Sequence, residues 1–257
     1  MPDPTASAVS PAPPPLAVDP VEAAALTAQV KQVQAALDAA AAAAGRAQGA
    51  ARLLLATKTQ TPARIAAALS AGHRLIGENR AQELRDKAPL LAGIAPEWHF
   101  IGPLQKNKIK YVVGTASLIH SVDSLELGLA IADEARKRAP GGVQDVLLQV
   151  NIADEATKSG AAPGQTLALA AALSAVPGLR VRGLMAIPPA DTTAAESRRW
   201  FDAVAALAAA GRATGLQLDE LSMGMSGDYV EAIAAGATLV RVGTAIFGAR
   251  SPVLPAP

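Results

Sequence analysis

Lysine attacks carbonyls only as the free amine, and an apolar neighbourhood favours that form by stripping water from the ammonium. Lys58 has such a neighbourhood. The stretch RLLLATKTQ (residues 52–60) contains three consecutive leucines, as in a strand buried on both faces, and Thr61-Pro62 directly after it signals a helix start. Lys58 therefore sits where a strand ends. It is either a lysine able to form a Schiff base or one that marks where the strand meets water.

Two distant turns bear on that choice. Residues 221–228 read LSMGMSGD and residues 241–245 read RVGTA. Each alone is a tight turn built from small residues. Following the last two strands of a β/α barrel, together they make a phosphate cradle, with backbone N–H groups and a short helix N-terminus as donors. Closing the barrel brings its eighth strand beside its first, and so brings the cradle beside Lys58. A phosphate site next to an imine-forming lysine points to pyridoxal 5′-phosphate (PLP). Arg241 lies two residues before Gly243 and shares its face of the strand. A guanidinium inside a barrel requires a partner. One candidate is a neighbouring carboxylate. The other is the pyridine nitrogen, which a donor-only arginine would keep unprotonated, weakening the ring as an electron sink.

The elements that must position these residues alternate. Strands are expected in the stretch 52–60, ending at Lys58, and at 74–76, 98–101, 118–122, 146–152, 181–185, 219–222 and 238–242. Helices are expected at 62–69, 80–91, 106–113, 125–138, 165–175, 193–214 and 229–235. Eight strands alternating with helices give an α/β chain folded as a single-domain (β/α)8 barrel, and the length of 257 residues is near the roughly 250 typical of that fold. No GxGxxG follows the first strand, which removes the fingerprint of the dinucleotide-binding alternative. An extra N-terminal helix begins at Asp19-Pro20, with Glu22 three residues after the cap, and runs to about Gly45; Leu26, Val30, Val33 and Leu37 form its apolar face. Residues 1–19 read as a disordered tail rich in Pro and Ala, 20–251 as the barrel and 252–257 as a short C-terminal tail.

Composition excludes several functions. Aromatics make up 3% of the chain within an apolar fraction of 51%, so the core must be built from Leu, Val, Ile and Ala. A formal net charge of +1 offers no field for wrapping nucleic acid. Without cysteine there are no disulfides or thiolate sites, in keeping with the cytoplasm, and three histidines scattered along the chain lead to no expected metal centre. Neither a signal peptide nor a membrane span is expected.

Blocks along the chain resemble the pyridoxal phosphate homeostasis protein family. These are ATKTQ (56–60), IGENRAQEL (76–84), WHFIGPLQKNK (98–108), HSVDS (120–124), TKSG (157–160), RGLMAIP (182–188) and the long run from Leu221 to Arg250. The resemblance implies a barrel related to the N-terminal domain of alanine racemase, with PLP carried on Lys58 as a Schiff base. It also implies that Asn79 lines the pocket, that Arg241 faces the pyridine nitrogen, and that Ser222, Met223, Ser226, Gly243 and Thr244 surround the phosphate. No catalytic residue is implied.

The expected activity is that of a carrier, which shields PLP and hands it to PLP-dependent apo-enzymes. The alternatives are an amino-acid racemase and a cofactor-free Schiff-base aldolase. A racemase needs an acid or base on each ring face, a role tyrosine fills in alanine racemases, and only Tyr111 and Tyr229 are available here. A monomer is expected, since no dimerisation element is evident. Lys158 could receive or pass on cofactor or could be a plain surface residue. Lys106, Lys108 and Lys110 read as a solvated face, His99 and His120 as hydrogen-bonded core residues, and Trp98 and Trp200 as packing.

Overall fold

The computed structural model describes residues 17–153, 159–189 and 191–248. Helix α1 (Pro20–Ala43) begins where the sequence places it. Asp19 Oδ1 accepts from the N–H groups of Val21 at 2.9 Å and Glu22 at 3.3 Å, while Pro20 takes the first helical position, where no N–H is needed. Leu26, Val30, Val33, Leu37 and Ala41 form its buried stripe.

The barrel follows as β1 (Arg52–Ala56), α2 (Pro62–Leu69), β2 (Leu75–Glu78), α3 (Ala81–Lys87), β3 (Glu97–Phe100), β4 (Leu118–Val122) and α4 (Leu125–Arg138). It continues with β5 (Gln144–Val150), α5 (Pro163–Ser174), β6 (Leu179–Ala186), α6 (Ala194–Ala213), β7 (Glu220–Ser222), α7 (Tyr229–Ala234), β8 (Leu239–Val242) and α8 (Thr244–Phe247). The eight strands are all parallel and pair in chain order, and β8 closes on β1 with Leu54 opposite Arg241 and Leu55 opposite Val242.

Strand alternation divides the core into two shells. Leu53 and Leu55 pack outward with Phe100, Ile119, Val146 and Val240 beneath the helices. Leu54 points inward and meets Leu75, Leu118, Leu147, Met185 and Leu239 in the barrel interior. The triple leucine is therefore a strand with apolar surroundings on both faces, as its sequence indicated.

Three expectations need correction. The helix over 80–91 stops at Lys87 and is followed by a 3₁₀ segment, Pro89–Ile94, because Pro89 has no N–H to continue the ladder. The segment 106–113 is a 3₁₀ turn, Lys106–Tyr111. The second strand runs past Ile76 to Glu78, which moves a carboxylate from the rim into the wall. The last helix, α8, is only four residues long. Helix α1 packs against α2, α7 and α8, and thereby covers the outer side that α8 is too short to cover. No described helix is long and apolar enough to cross a membrane.

Candidate cofactor-binding site

Lys58 lies two residues beyond the end of β1 and is half-buried. Its place is set by its neighbours on both sides. Thr57, fully buried, donates from its hydroxyl to Glu78 Oε1 at 2.7 Å, and its carbonyl accepts from Lys87 Nζ at 3.0 Å. Thr59 is in the left-handed region at φ 64°, a costly conformation for a β-branched residue, and its N–H donates to Glu83 Oε2 at 2.9 Å. Lys87 joins the two sides, donating to Glu78 Oε1 at 2.6 Å and Glu83 Oε2 at 2.7 Å. A single buried ammonium thus anchors both residues flanking Lys58.

Burial pushes the Glu78 carboxyl above its ordinary range, with Lys87 and Thr57 pulling the other way. Burial also acts to raise Glu83, but Lys87, the Thr59 N–H and Arg80 together hold it below. This clamp was not anticipated. Glu83 and Lys87 were legible as an i, i+4 pair on a helix, which by itself suggests a surface contact. Nothing in the pattern showed that α3 turns the pair inward.

The cradle forms at the mouth that Lys58 occupies. Ala56 and Gly243 follow the paired residues Leu55 and Val242, and a side-chain carbon on Gly243 would lie 3.1 Å from the Ala56 carbonyl oxygen. Glycine thus lets the end of β8 approach the strand that carries Lys58. Ser226 Oγ accepts from the Ala245 N–H at 3.4 Å, joining the loop after β7 to the start of α8. Thr244 is exposed, Ser226 is half-buried, and Gly243 caps α8. Met223 faces the outer core, so only its backbone could serve an anion, and its N–H already donates to the Leu239 carbonyl at 3.1 Å. Ser222 is fully buried within β7, and its hydroxyl is engaged by Arg241 and His120 in the barrel interior.

Arg241 occupies the barrel interior. It donates to the Ser222 carbonyl and hydroxyl, each at 2.6 Å, and to the Ala186 carbonyl at 3.0 Å. Among the described residues no carboxylate lies within ion-pair distance, so the ordinary ion pair considered above is absent. Burial pushes this guanidinium down to about 10, opposed by Asp228 acting through space. The buried polar atoms that lack a hydrogen-bond partner among the described residues include Asn79 Oδ1, just past β2, and Ser121 Oγ on β4. A buried cation with no carboxylate in ion-pair distance among the described residues, together with unsatisfied buried oxygens, fits a polar ligand held at this mouth.

The other candidates sort plainly. Lys106 pairs with Glu126, while Lys108, Lys110 and Arg85 surround the Tyr111 ring at 5.9, 5.2 and 5.0 Å, so these lysines form a solvated face. His99 and His120 are buried and hydrogen-bonded to one another at 2.9 Å, as expected. Trp98 is buried in the outer core. Lys158 lies outside the described residues, as do residues 1–16 of the expected tail and 249–257.

An alternating barrel with a lysine at the end of its first strand and a hydroxyl-rich cradle after its last two defines a class. Residues 22–251 match the family model described as alanine racemase, N-terminal domain. The pyridoxal phosphate homeostasis protein of Pseudomonas aeruginosa is 44% identical over 229 residues, covering 88% of this chain and 96% of the relative. Among solved structures, a protein of unknown function from Bifidobacterium adolescentis superposes with a TM-score of 0.86 at 39% identity, covering 90% of this chain and 98% of that one. PipY of Synechococcus elongatus, solved with PLP bound, superposes with a TM-score of 0.76 at 33% identity, covering 87% of this chain and all, 100%, of that one. The chain belongs to the pyridoxal phosphate homeostasis protein family.

Proposed function

We propose that this protein binds PLP as a Schiff base on Lys58 and acts as a carrier that buffers the cofactor and delivers it to apo-enzymes. The observation that carries this reading is the pairing of a half-buried lysine at the end of β1 with a buried arginine that has no carboxylate partner among the described residues. In this reading Asn79 lines the ring and Arg241 donates toward the pyridine nitrogen. Ser226, Gly243 and Thr244 hold the phosphate, with Met223 packed behind the cradle, while Ser222 positions Arg241. Bound PLP supplies an aldehyde for amines and, when its ring nitrogen is protonated, an electron sink. Arg241 can only donate hydrogen bonds, so it opposes the protonation on which the sink depends. The clamp around Thr57 and Thr59 holds the amine in place, consistent with retention of the cofactor.

The racemase reading needs an acid or base opposite Lys58. Tyr111 does not fit that role, since its ring is occupied by Arg85, Lys108 and Lys110 on the outside of the barrel. The test is a visible spectrum of the purified protein before and after addition of a PLP-requiring apo-enzyme. A yellow protein that bleaches as the acceptor gains activity supports the carrier, and the Lys58→Ala protein should be colourless. Amino-acid racemisation at about 1 to 1,000 turnovers per second would overturn it.

A further inference from the structure

A chain of hydrogen bonds, buried from His99 inward, crosses the barrel from Glu97 at its N-terminal mouth to Arg241. Glu97 Oε1 is 3.1 Å from His99 Nε2, and His99 Nδ1 is 2.9 Å from His120 Nε2. His120 Nδ1 is 2.9 Å from Ser222 Oγ, which is 2.6 Å from an Arg241 nitrogen. Glu97 opens onto a cavity of about 160 Å³ at the mouth opposite the cofactor site, shared with Arg52, Asp145, Arg182 and Glu220. These neighbours face the relay from β1, β5, β6 and β7 but are paired among themselves, Arg52 with Glu220 at 2.8 Å and Arg182 with Asp145 at 3.3 Å. Among the described residues Glu97 is the only carboxylate bonded to either ring.

Both ends of the chain constrain its direction. A guanidinium only donates, so Ser222 Oγ accepts from Arg241. An ionised carboxylate only accepts, and the bond to His99 holds the Glu97 carboxyl below its ordinary value. His99 therefore carries a proton on Nε2, and in the relay its Nδ1 accepts. His120 then donates from Nε2 and accepts at Nδ1, and Ser222 donates there. Every donor then points from Arg241 toward Glu97; the opposite sense of the two inner bonds requires a His99 protonated on both nitrogens, which the tautomer spectra distinguish.

We infer that Glu97, His99 and His120 form a one-way relay that fixes the orientation of the Ser222 hydroxyl, making Glu97 a positioning residue for Arg241 from the opposite end of the barrel. Its consequence for bound cofactor rests on the carrier reading; the relay itself is a property of the unloaded protein.

The chain has three histidines, so ¹⁵N-labelled histidine spectra of unloaded, full-length protein resolve the tautomers directly, with His73 as the internal reference. Both His99 and His120 are expected as Nε2–H tautomers. In Glu97→Gln the fixed end is lost, because an amide can donate as well as accept. His120, which Glu97 does not touch, should then show a second tautomer, and PLP binding should weaken by roughly 2- to 10-fold, the worth of one hydrogen bond. A structural role alone would not redistribute the proton on His120. An Nδ1–H tautomer at His120 in the parent protein, or a His120 signal unchanged in Glu97→Gln, would overturn the relay. If Glu97→Gln does not fold, the parent spectrum still decides. Failure of the parent protein to bind PLP would instead defeat the carrier reading and leave the tautomer result standing.

Discussion

Replacing Lys87 with methionine removes the ammonium while keeping most of the side-chain volume. Glu78, fully buried, would then retain only the Thr57 hydroxyl at 2.7 Å on Oε1, with Oε2 already unpartnered. Breaking a buried ion pair from one side costs about 3 to 5 kcal/mol, since the remaining charge has neither water nor partner. For a chain of this size each kcal/mol lowers Tm by roughly 2 to 4 °C, so Lys87→Met should melt about 6 to 20 °C below the parent at neutral pH. The deficit should depend on pH in a definite direction. Burial already raises the Glu78 carboxyl above its unfolded value, and losing Lys87 removes the main opposing influence. The folded variant therefore binds a proton that the unfolded chain releases, and its stability falls as pH rises through the folded value. Lys87→Met should thus be less impaired at pH 5 than at pH 8. Adding Glu78→Gln should recover most of the loss, because a neutral amide can still accept from Thr57. Urea unfolding of the parent, both single variants and the double variant at the two pH values forms the complete cycle. A single-variant cost below about 1 kcal/mol, or strictly additive losses, would refute the idea that Lys87 and Glu78 act as one unit.

Other predictions follow from the same geometry. Burial, then His99, Arg241 and Arg52, hold His120 well below the ordinary histidine range, so the folded protein leaves it neutral while the unfolded chain takes up a proton. Stability should therefore fall as pH drops below about 6.5, and His120→Gln should flatten that slope by up to about 1.4 kcal/mol per pH unit; parallel urea profiles would contradict this. A side-chain carbon on Gly102 would lie 2.1 Å from the Asn79 carbonyl oxygen, whereas one on Gly93 would meet nothing within 4 Å. Gly102→Ala should cost about 1 to 3 kcal/mol and weaken PLP binding by displacing Asn79, while Gly93→Ala leaves binding unchanged, as titration by absorbance would show.

The sequence revealed the barrel because parallel strands buried on both faces leave short apolar runs, and eight such runs alternate with helical spacing. It placed Lys58 just past a buried first strand and two small-residue turns after the last two strands, and the closure of β8 on β1 brings these segments to one mouth. It did not reveal the clamp or the relay, for two different reasons. Lys87 and Glu78 carry charges that composition assigns to the surface, and only α3 packing over β1 and β2 turns them inward. Glu97, His99 and His120 were visible, but their linkage to Ser222 spans β3, β4 and β7, and pairing across a barrel interior leaves no local pattern. The same reason explains Ser222. Its place in a cradle motif suggested the phosphate, but being the last residue of β7 it points into the barrel, toward Arg241.

The claim that Lys58 bears the cofactor is tested most directly by reducing the PLP-loaded protein with borohydride, digesting it and mapping the modified residue by mass. The account predicts the reduced cofactor mass on the peptide containing Lys58, with no label elsewhere and none in Lys58→Ala. Label on another lysine, or full labelling of the Lys58→Ala protein, would contradict it.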